Sequence, residues 1–141
     1  MRIEKPGPEV KKRVASLRLK YTGEPQPELL VVLPNPRPGR EYEIEAVSPE
    51  FTSLCPLNPG QPDYATVTIR YVPAKSIVEL KSLKFYLTSY RTAEVFFEDA
   101  TNRILDDLVK LVKPKRMEVS ADWNVRGGIG VTVKAAYPHT G

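Results

Sequence analysis

YATVTIRYVPAKSIVELKSLKFYLTSYR, residues 64–91, changes its hydrophobic period partway along, and that change decides the fold class. Up to Val72, the residues Ala65, Val67, Ile69 and Tyr71 alternate with Thr66, Thr68 and Arg70, the two-residue repeat of a strand with one buried face, and Pro73 closes it. From Val78 the repeat lengthens. Leu80, Leu83, Leu87 and Tyr90 fall on one side of a helix, while Lys81, Lys84 and Arg91 point elsewhere. Glu79 places a carboxylate at the helix start, where the dipole is positive.

The flanking sequence extends this frame in both directions. Before it, EYEIEAV alternates Tyr42, Ile44 and Ala46 against Glu43 and Glu45, which makes another half-buried strand. After it, the link TAEV leads into FFEDATNRILDDLVKLVKP, where Ala100, Ile104, Leu108, Leu111 and Val112 form the buried stripe of a longer helix that Pro114 ends. RMEVSADWN then sets Met117, Val119, Ala121 and Trp123 on one face, and beyond RGG the run GVTVKAAY alternates again, so a hairpin closes the chain. The order is strand, strand, helix, helix, strand, strand. It specifies an α+β domain: a four-stranded antiparallel sheet with two helices on one face. The outer strands of such a unit are long unpaired edges, so oligomerisation is expected, in a ring.

With 141 residues, 41% apolar and 27% charged, the chain suits one globular domain spanning residues 1–141. The longest apolar run, LLVVL at Leu29 to Leu33, is too short to span a bilayer, and the N-terminus lacks a secretory pattern, so a cytoplasmic protein without membrane association is expected. The net charge of +4 raises nucleic acid as a partner, but bases and acids interleave outside the N-terminal tail. Direct nucleic-acid binding is therefore not expected, and a phosphate-bearing small ligand explains the excess equally well. Residues 1–28 are read as an N-terminal arm. Within it Val10, Val14, Leu17 and Tyr21 recur at helical spacing, leaving a short amphipathic helix and a solvated arm both open, the solvated arm favoured. PNPRPGR, from Pro34 to Arg40, is a bend before the core of the domain.

Chemistry concentrates in FTSLCPLNPGQPD, residues 51–63, which holds the only cysteine. A single Cys forms no internal disulfide and is too few ligands for a structural zinc, which leaves a buried filler or a nucleophile. Free Cys is usually a filler. Here Pro56, Pro59, Gly60 and Pro62 shape a rigid loop after Cys55, and Asp63 follows eight positions later, where the loop can return its carboxyl towards the sulfur. By itself Asp63 is equally a turn-forming residue.

EFTSLCP, GQPDYAT, VELKSLKFYL, SYR, FFED, NRILDDL and RGGI, in that order, resemble the NADPH-dependent 7-cyano-7-deazaguanine reductases, the nitrile reductases of queuosine biosynthesis. The resemblance runs from about Leu33 to the C-terminus, and the Cys loop combined with ELKSLK is more specific than either part. It implies the tunnelling fold, whose unit agrees with the element order read above, and a homo-oligomer of two facing pentamers with active sites between subunits. The implied reaction takes the nitrile of 7-cyano-7-deazaguanine to 7-aminomethyl-7-deazaguanine with NADPH as cofactor. In it Cys55 adds to the nitrile carbon as a thioimidate and Asp63 donates a proton to the nitrogen. The resemblance further gives Glu98 the recognition of the base, with Phe97 beside it, and brings Val78, Glu79 and Leu80 to the base through main-chain atoms across a subunit boundary. Lys81, Lys84 and Arg126 match the residues that would meet cofactor phosphates. On charge pattern alone the two lysines are a wet helix face, Glu98 is a solvated first-turn residue, and Arg126 with Gly127 and Gly128 is a hairpin turn. No metal is implied.

The chain departs from the family at two positions. CPLNPGQPD is one residue longer between Cys and Asp than the usual spacing, and Phe97 stands where the family usually has His. A phenyl ring packs but moves no protons, so slower reduction or an altered pH dependence is expected. The sole His, His139, lies in the C-terminal tail. Two further functions fit parts of the sequence: an archaeosine-synthase-like amidine formation on modified tRNA through the same thioimidate, and a non-enzymatic module for a guanine-like ligand. Zinc-dependent GTP cyclohydrolases of the same fold need Cys and His ligands that the chain lacks.

Overall fold

The alternation at residues 65–71 becomes an inner strand of an antiparallel sheet. A computed structural model describes residues 6–139, in which the elements run α1 (Pro8–Ser16), β1 (Val32–Pro34), β2 (Ile44–Leu54), β3 (Pro62–Val72), β4 (Ser76–Val78), α2 (Leu80–Thr88), α3 (Phe97–Val112), β5 (Arg116–Arg126) and β6 (Ile129–Tyr137). The four long strands form one sheet in the order β2-β3-β5-β6, and β1 pairs with β4 in a separate two-stranded ladder. The strand-strand-helix-helix-strand-strand unit is present as read, with the short ladder added to it.

The sheet's inner face carries Phe51, Ala65, Val67, Ile69, Met117, Val119, Ala121 and Trp123, all buried against Leu83, Tyr86 and Leu87 of α2 and Ala100, Ile104, Leu105 and Leu108 of α3. Each fully buried aliphatic contributes about 1.5–3 kcal/mol, so this layer holds the helices to one side. The stripe on α3 is close to the sequence reading, except that Leu105 is buried and Leu111 only half-buried. On α2 the reading needs correcting. Leu80 is 68% exposed because it is the first helical residue, and Tyr86 takes its place in the core. The helix also stops at Thr88 and tightens into a 3-10 turn over Ser89–Thr92, so Tyr90 is buried from that turn. Tyr86 and Tyr90 share a hydroxyl hydrogen bond of 2.8 Å, and Tyr86 donates to Asp107 Oδ2 at 2.6 Å. That network joins the 3-10 turn to α3.

β2 is longer than EYEIEAV suggested. It starts at Ile44 and runs to Leu54, so the first four residues of the Cys stretch are strand and only residues 55–61 form the loop. Tyr42 lies outside the strand, where its hydroxyl donates to Asn35 Oδ1. An extra residue in β2 between Ser48 and Phe51 shifts its register against β3, and another in β5 between Trp123 and Arg126 shifts that strand against β6. Gly127 and Gly128, at φ of 58° and 81°, supply the left-handed backbone of the two-residue turn between β5 and β6.

The N-terminal stretch, expected as a solvated arm, carries α1 instead. Val10 and Val14 pack on a small cluster of Leu17, Leu29 and Val31 that also meets Phe85 of α2. Leu29 to Val31 are buried, so the apolar interior begins before the PNPRPGR bend rather than after it. Tyr21, which shares the helical spacing, is 51% exposed. Among the described residues, no helix is long and apolar enough to cross a membrane.

Candidate active site

The β2–β3 hairpin positions Cys55. Its N–H donates to the Gln61 carbonyl at 3.0 Å, and Gln61 N–H donates to the Asn58 carbonyl at 3.0 Å, while Gly60 adopts a φ of 83°. These bonds close the loop at its base, so residues 57–60 form an exposed turn. Cys55 itself stays half-buried. In the β2–β3 ladder Leu54 faces Pro62 and Ser53 faces Asp63. Ser53 and Asp63 therefore share a face, and Cys55 follows directly after the end of β2, bonded through its N–H to Gln61 across the loop.

Asp63 is the deeply buried member, with a side chain only 2% exposed. Its Oδ1 accepts a hydrogen bond from Arg126 Nη1, an ion pair across the end of the sheet. Arg126, which the resemblance sets among the cofactor-phosphate residues, pairs in this chain with Asp63. Ser53, which faces Asp63 in the ladder, and Trp123, which faces Ala65 two residues on, each carry a buried polar atom, Oγ and Nε1, without a hydrogen-bond partner among the described residues. Buried polar atoms usually have partners, so these two orphans are exceptions at this end of the sheet. Phe97, at the start of α3, stacks on Trp123 with ring centroids 4.0 Å apart and planes 8° apart, and Phe51 meets the same indole edge-on at 5.6 Å. Phe97 thus does what the sequence allowed it, packing, and Glu98 next to it is exposed in the first turn of α3. No side-chain partner engages the Glu98 carboxylate among the described residues; only its carbonyl is used, accepting from Asn102 Nδ2 at 2.8 Å.

The second group of sequence candidates surrounds the start of α2. The Glu79 carboxylate caps that helix, accepting from Lys81 N at 2.8 Å and Ser82 N at 2.7 Å. Main-chain donors at the preceding positions are also committed: Val78 N–H donates to the Tyr71 hydroxyl at 3.1 Å and Glu79 N–H to the Val31 carbonyl at 2.9 Å. Leu80 keeps an exposed side chain. Lys81 turns away from solvent, its Nζ donating to the Val14 carbonyl at 3.0 Å near the end of α1 and lying 5.6 Å from the Phe85 ring centroid. Lys84 is exposed and lines a groove of about 280 Å³ between β2 and α2, with Leu80, Leu83, Leu87 and Arg91 on the helix side and residues 46–52 on the strand side. An adjoining depression reaches Leu54, Pro62 and Tyr64, and Arg91 borders both. Within one chain, then, Cys55, Asp63, Arg126, Ser53, Trp123 and Phe97 gather at one end of the sheet, while Leu80 and Lys84 sit farther back along β2.

Sequence reasoning missed Ser53, Trp123 and Arg91 as site residues. Ser53 carried a signal, being a small polar residue at an inward strand position two before the cysteine. The Trp123 indole was read as core, which it is, and only its unpaired N–H distinguishes it.

A family model described as "QueF-like protein" matches residues 62–141. The chain is 54% identical over 112 residues to a protein of Chloroherpeton thalassium named NADPH-dependent 7-cyano-7-deazaguanine reductase, covering 79% of this chain and 96% of the relative. A protein of Thermomicrobium roseum with the same name is 57% identical over 108 residues, covering 77% and 84% respectively. The crystal structure of the archaeosine synthase QueF-Like in the apo form superposes with a TM-score of 0.62 at 21% identity, over 72% of this chain and 96% of that one, a likeness of fold.

Proposed function

The chain belongs to the QueF-like family, and on that premise we propose that it reduces the nitrile of 7-cyano-7-deazaguanine to the aminomethyl compound with NADPH, Cys55 serving as nucleophile and Asp63 as proton carrier. The observation that supports this assignment of roles is the hairpin itself, in which a half-buried thiol directly follows β2 and a buried carboxylate is the second residue of β3 across the closed loop. A nitrile carbon accepts hydride poorly, and addition of the Cys55 sulfur converts it to a thioimidate carbon that accepts it more readily. The nitrogen gains negative charge in that addition, and Asp63 supplies the proton that quenches it.

NADPH, when bound, supplies the hydride. The cations that suit its phosphates on this chain are Lys84, which has no partner among the described residues, and Arg91, at the rim of the same groove. Lys81 is engaged by α1 and is a weaker candidate. The half-buried Phe97 ring, backed by the buried Trp123, is a flat surface suited to a fused-ring base, and the Glu98 carboxylate, without a side-chain partner among the described residues, is free to accept from ring N–H and amine donors. Val78, Glu79 and Leu80 meet the base from a neighbouring subunit in this proposal. Such a site between subunits agrees with the outer position of β6 and of β2, whose edge is bridged at Leu54 to Glu94, and with exposed Val125 and Ile129 near the β5–β6 turn, surfaces suited to a ring of copies. We place the activity in the cytoplasm.

Amidine formation has less behind it: relatives more than half identical carry the reductase name, whereas the likeness to the archaeosine synthase is one of fold. The test is intact-mass analysis after mixing the protein with 7-cyano-7-deazaguanine in the absence of cofactor. The expected result is an adduct of one substrate mass that maps to Cys55 and is lost in Cys55→Ser. An unmodified wild-type chain would return Cys55 to the role of a core filler.

A further inference from the structure

Asp63 is the only buried carboxylate among the described residues, and its hydrogen-bonded anchor is Arg126. Ser53, which faces it in the ladder, keeps an unpartnered hydroxyl, so the carboxylate is not held from that side. Arg126 ends β5, directly after the extra residue that shifts β5 against β6, and bulges of this kind re-aim side chains. A buried carboxylate without a cation is strongly disfavoured, whereas one bonded to a guanidinium is held charged and fixed in direction. The 42% exposed Arg126 side chain links this buried group to the rim of the site.

We propose that Arg126 is a positioning residue for Asp63, anchoring the carboxylate in its ionised form so that it takes the Cys55 proton and returns it to the nitrile nitrogen. The proposal rests on the reading of Cys55 and Asp63 above and differs from the cofactor-phosphate role that the sequence resemblance gave Arg126. The step balances without a redox partner. The thiol proton passes to the Asp63 carboxylate, and the sulfur lone pair forms the C–S bond. One π bond of the nitrile breaks with its electrons moving to nitrogen, and nitrogen takes the proton from Asp63, restoring the carboxylate.

Arg126→Met and Arg126→Lys, compared with the wild-type chain, test this. Adduct formation with 7-cyano-7-deazaguanine is followed by rapid-mixing absorbance and intact mass without NADPH, and KM for NADPH is measured separately, with thermal unfolding to verify folding. Arg126→Met is expected to slow cofactor-free adduct formation about tenfold or more, and Arg126→Lys to recover most of that loss. A wild-type adduct rate in Arg126→Met, with only KM for NADPH raised, would make Arg126 a cofactor residue and overturn the proposal. Two folded variants equally slow would overturn charge anchoring. Should Arg126→Met not fold, Arg126→Gln takes its place with the same criteria: an adduct rate lower by about tenfold or more with unchanged KM for NADPH supports the proposal, and a wild-type rate overturns it. A wild-type chain that forms no adduct defeats the Cys55 reading itself, and the proposal with it.

Discussion

Replacing Glu79 by alanine separates a structural role from a ligand-binding one. The carboxylate caps α2 through two short bonds, 2.8 Å to Lys81 N and 2.7 Å to Ser82 N, so both donors lose their partner in the variant. Loss of an N-cap costs about 0.5–2 kcal/mol. Loss of a negative charge at the positive end of a helix adds about 0.3–1 kcal/mol. Solvent partly replaces these bonds because Glu79 is only half-buried, which places the sum near 1–2 kcal/mol, or a melting temperature lower by about 3–8 °C for a domain of this size. The damage stays local at first, because Ser82 Oγ still donates to the Glu79 carbonyl at 2.8 Å and accepts Val31 N–H at 3.0 Å. Glu79→Gln retains an acceptor oxygen and is expected to recover about half of the loss. Thermal unfolding by circular dichroism measures both. An unchanged melting temperature in Glu79→Ala, together with a raised KM for the nitrile, would show that the carboxylate reads the substrate and that the cap is incidental.

Three further outcomes are expected. Burial holds the Tyr86 and Tyr90 hydroxyls neutral well above the ordinary tyrosine range. The unfolded chain releases those protons from about pH 10 upward while the native state retains them, so stability is unaffected by these groups below about pH 10 and falls as pH climbs beyond it. Urea unfolding at about pH 8 and pH 11 reads that fall, and Tyr90→Phe should make it shallower; an equal fall in the variant would contradict this. Ile104, 0% exposed between α3 and the sheet, should lose about 2–5 kcal/mol on truncation to alanine, and a change below about 1 kcal/mol in urea would mean that the core closes over the gap. Phe97→His keeps a flat ring against Trp123 and adds a titrating group beside Glu98, so turnover should change and a new ionisation should enter the pH–rate profile between about pH 6 and 7. An unchanged turnover and profile would show that the missing imidazole is irrelevant here.

Which parts of this molecule were legible in its sequence follows from the range over which each signal acts. Met117, Val119, Ala121 and Trp123 are all buried as their alternation indicated, because a strand with one covered face imposes its period on consecutive residues. Leu80 fits the helical stripe yet is exposed, since a residue in the first turn has no turn before it to lie against the core. Tyr86 enters the core because Tyr90 and Asp107 satisfy its hydroxyl, and Asp107 comes from a different helix that local spacing does not reach. The β1–β4 ladder has three residues per strand, too few for any period, and its partners Val32 and Val78 are far apart in the chain. α1 was one of two open alternatives; what decides it is docking onto Phe85 and Lys81 of a distant helix. At the site, Cys55 and Asp63 stood out because they bracket one turn. Arg126 follows a register shift in β5 and reaches Asp63 on another strand, and nothing in the local pattern RGG distinguishes an anion-binding arginine from one that holds a buried aspartate.

The most direct test follows NADPH oxidation and product together when the protein is given 7-cyano-7-deazaguanine. Conversion of a nitrile to an amine takes four electrons, so two NADPH should disappear for each aminomethyl product, with the Cys55 adduct discharged in step and no turnover in Cys55→Ser. A Cys55 adduct that NADPH leaves intact, but that ammonia releases as an amidine, would contradict the reductase function.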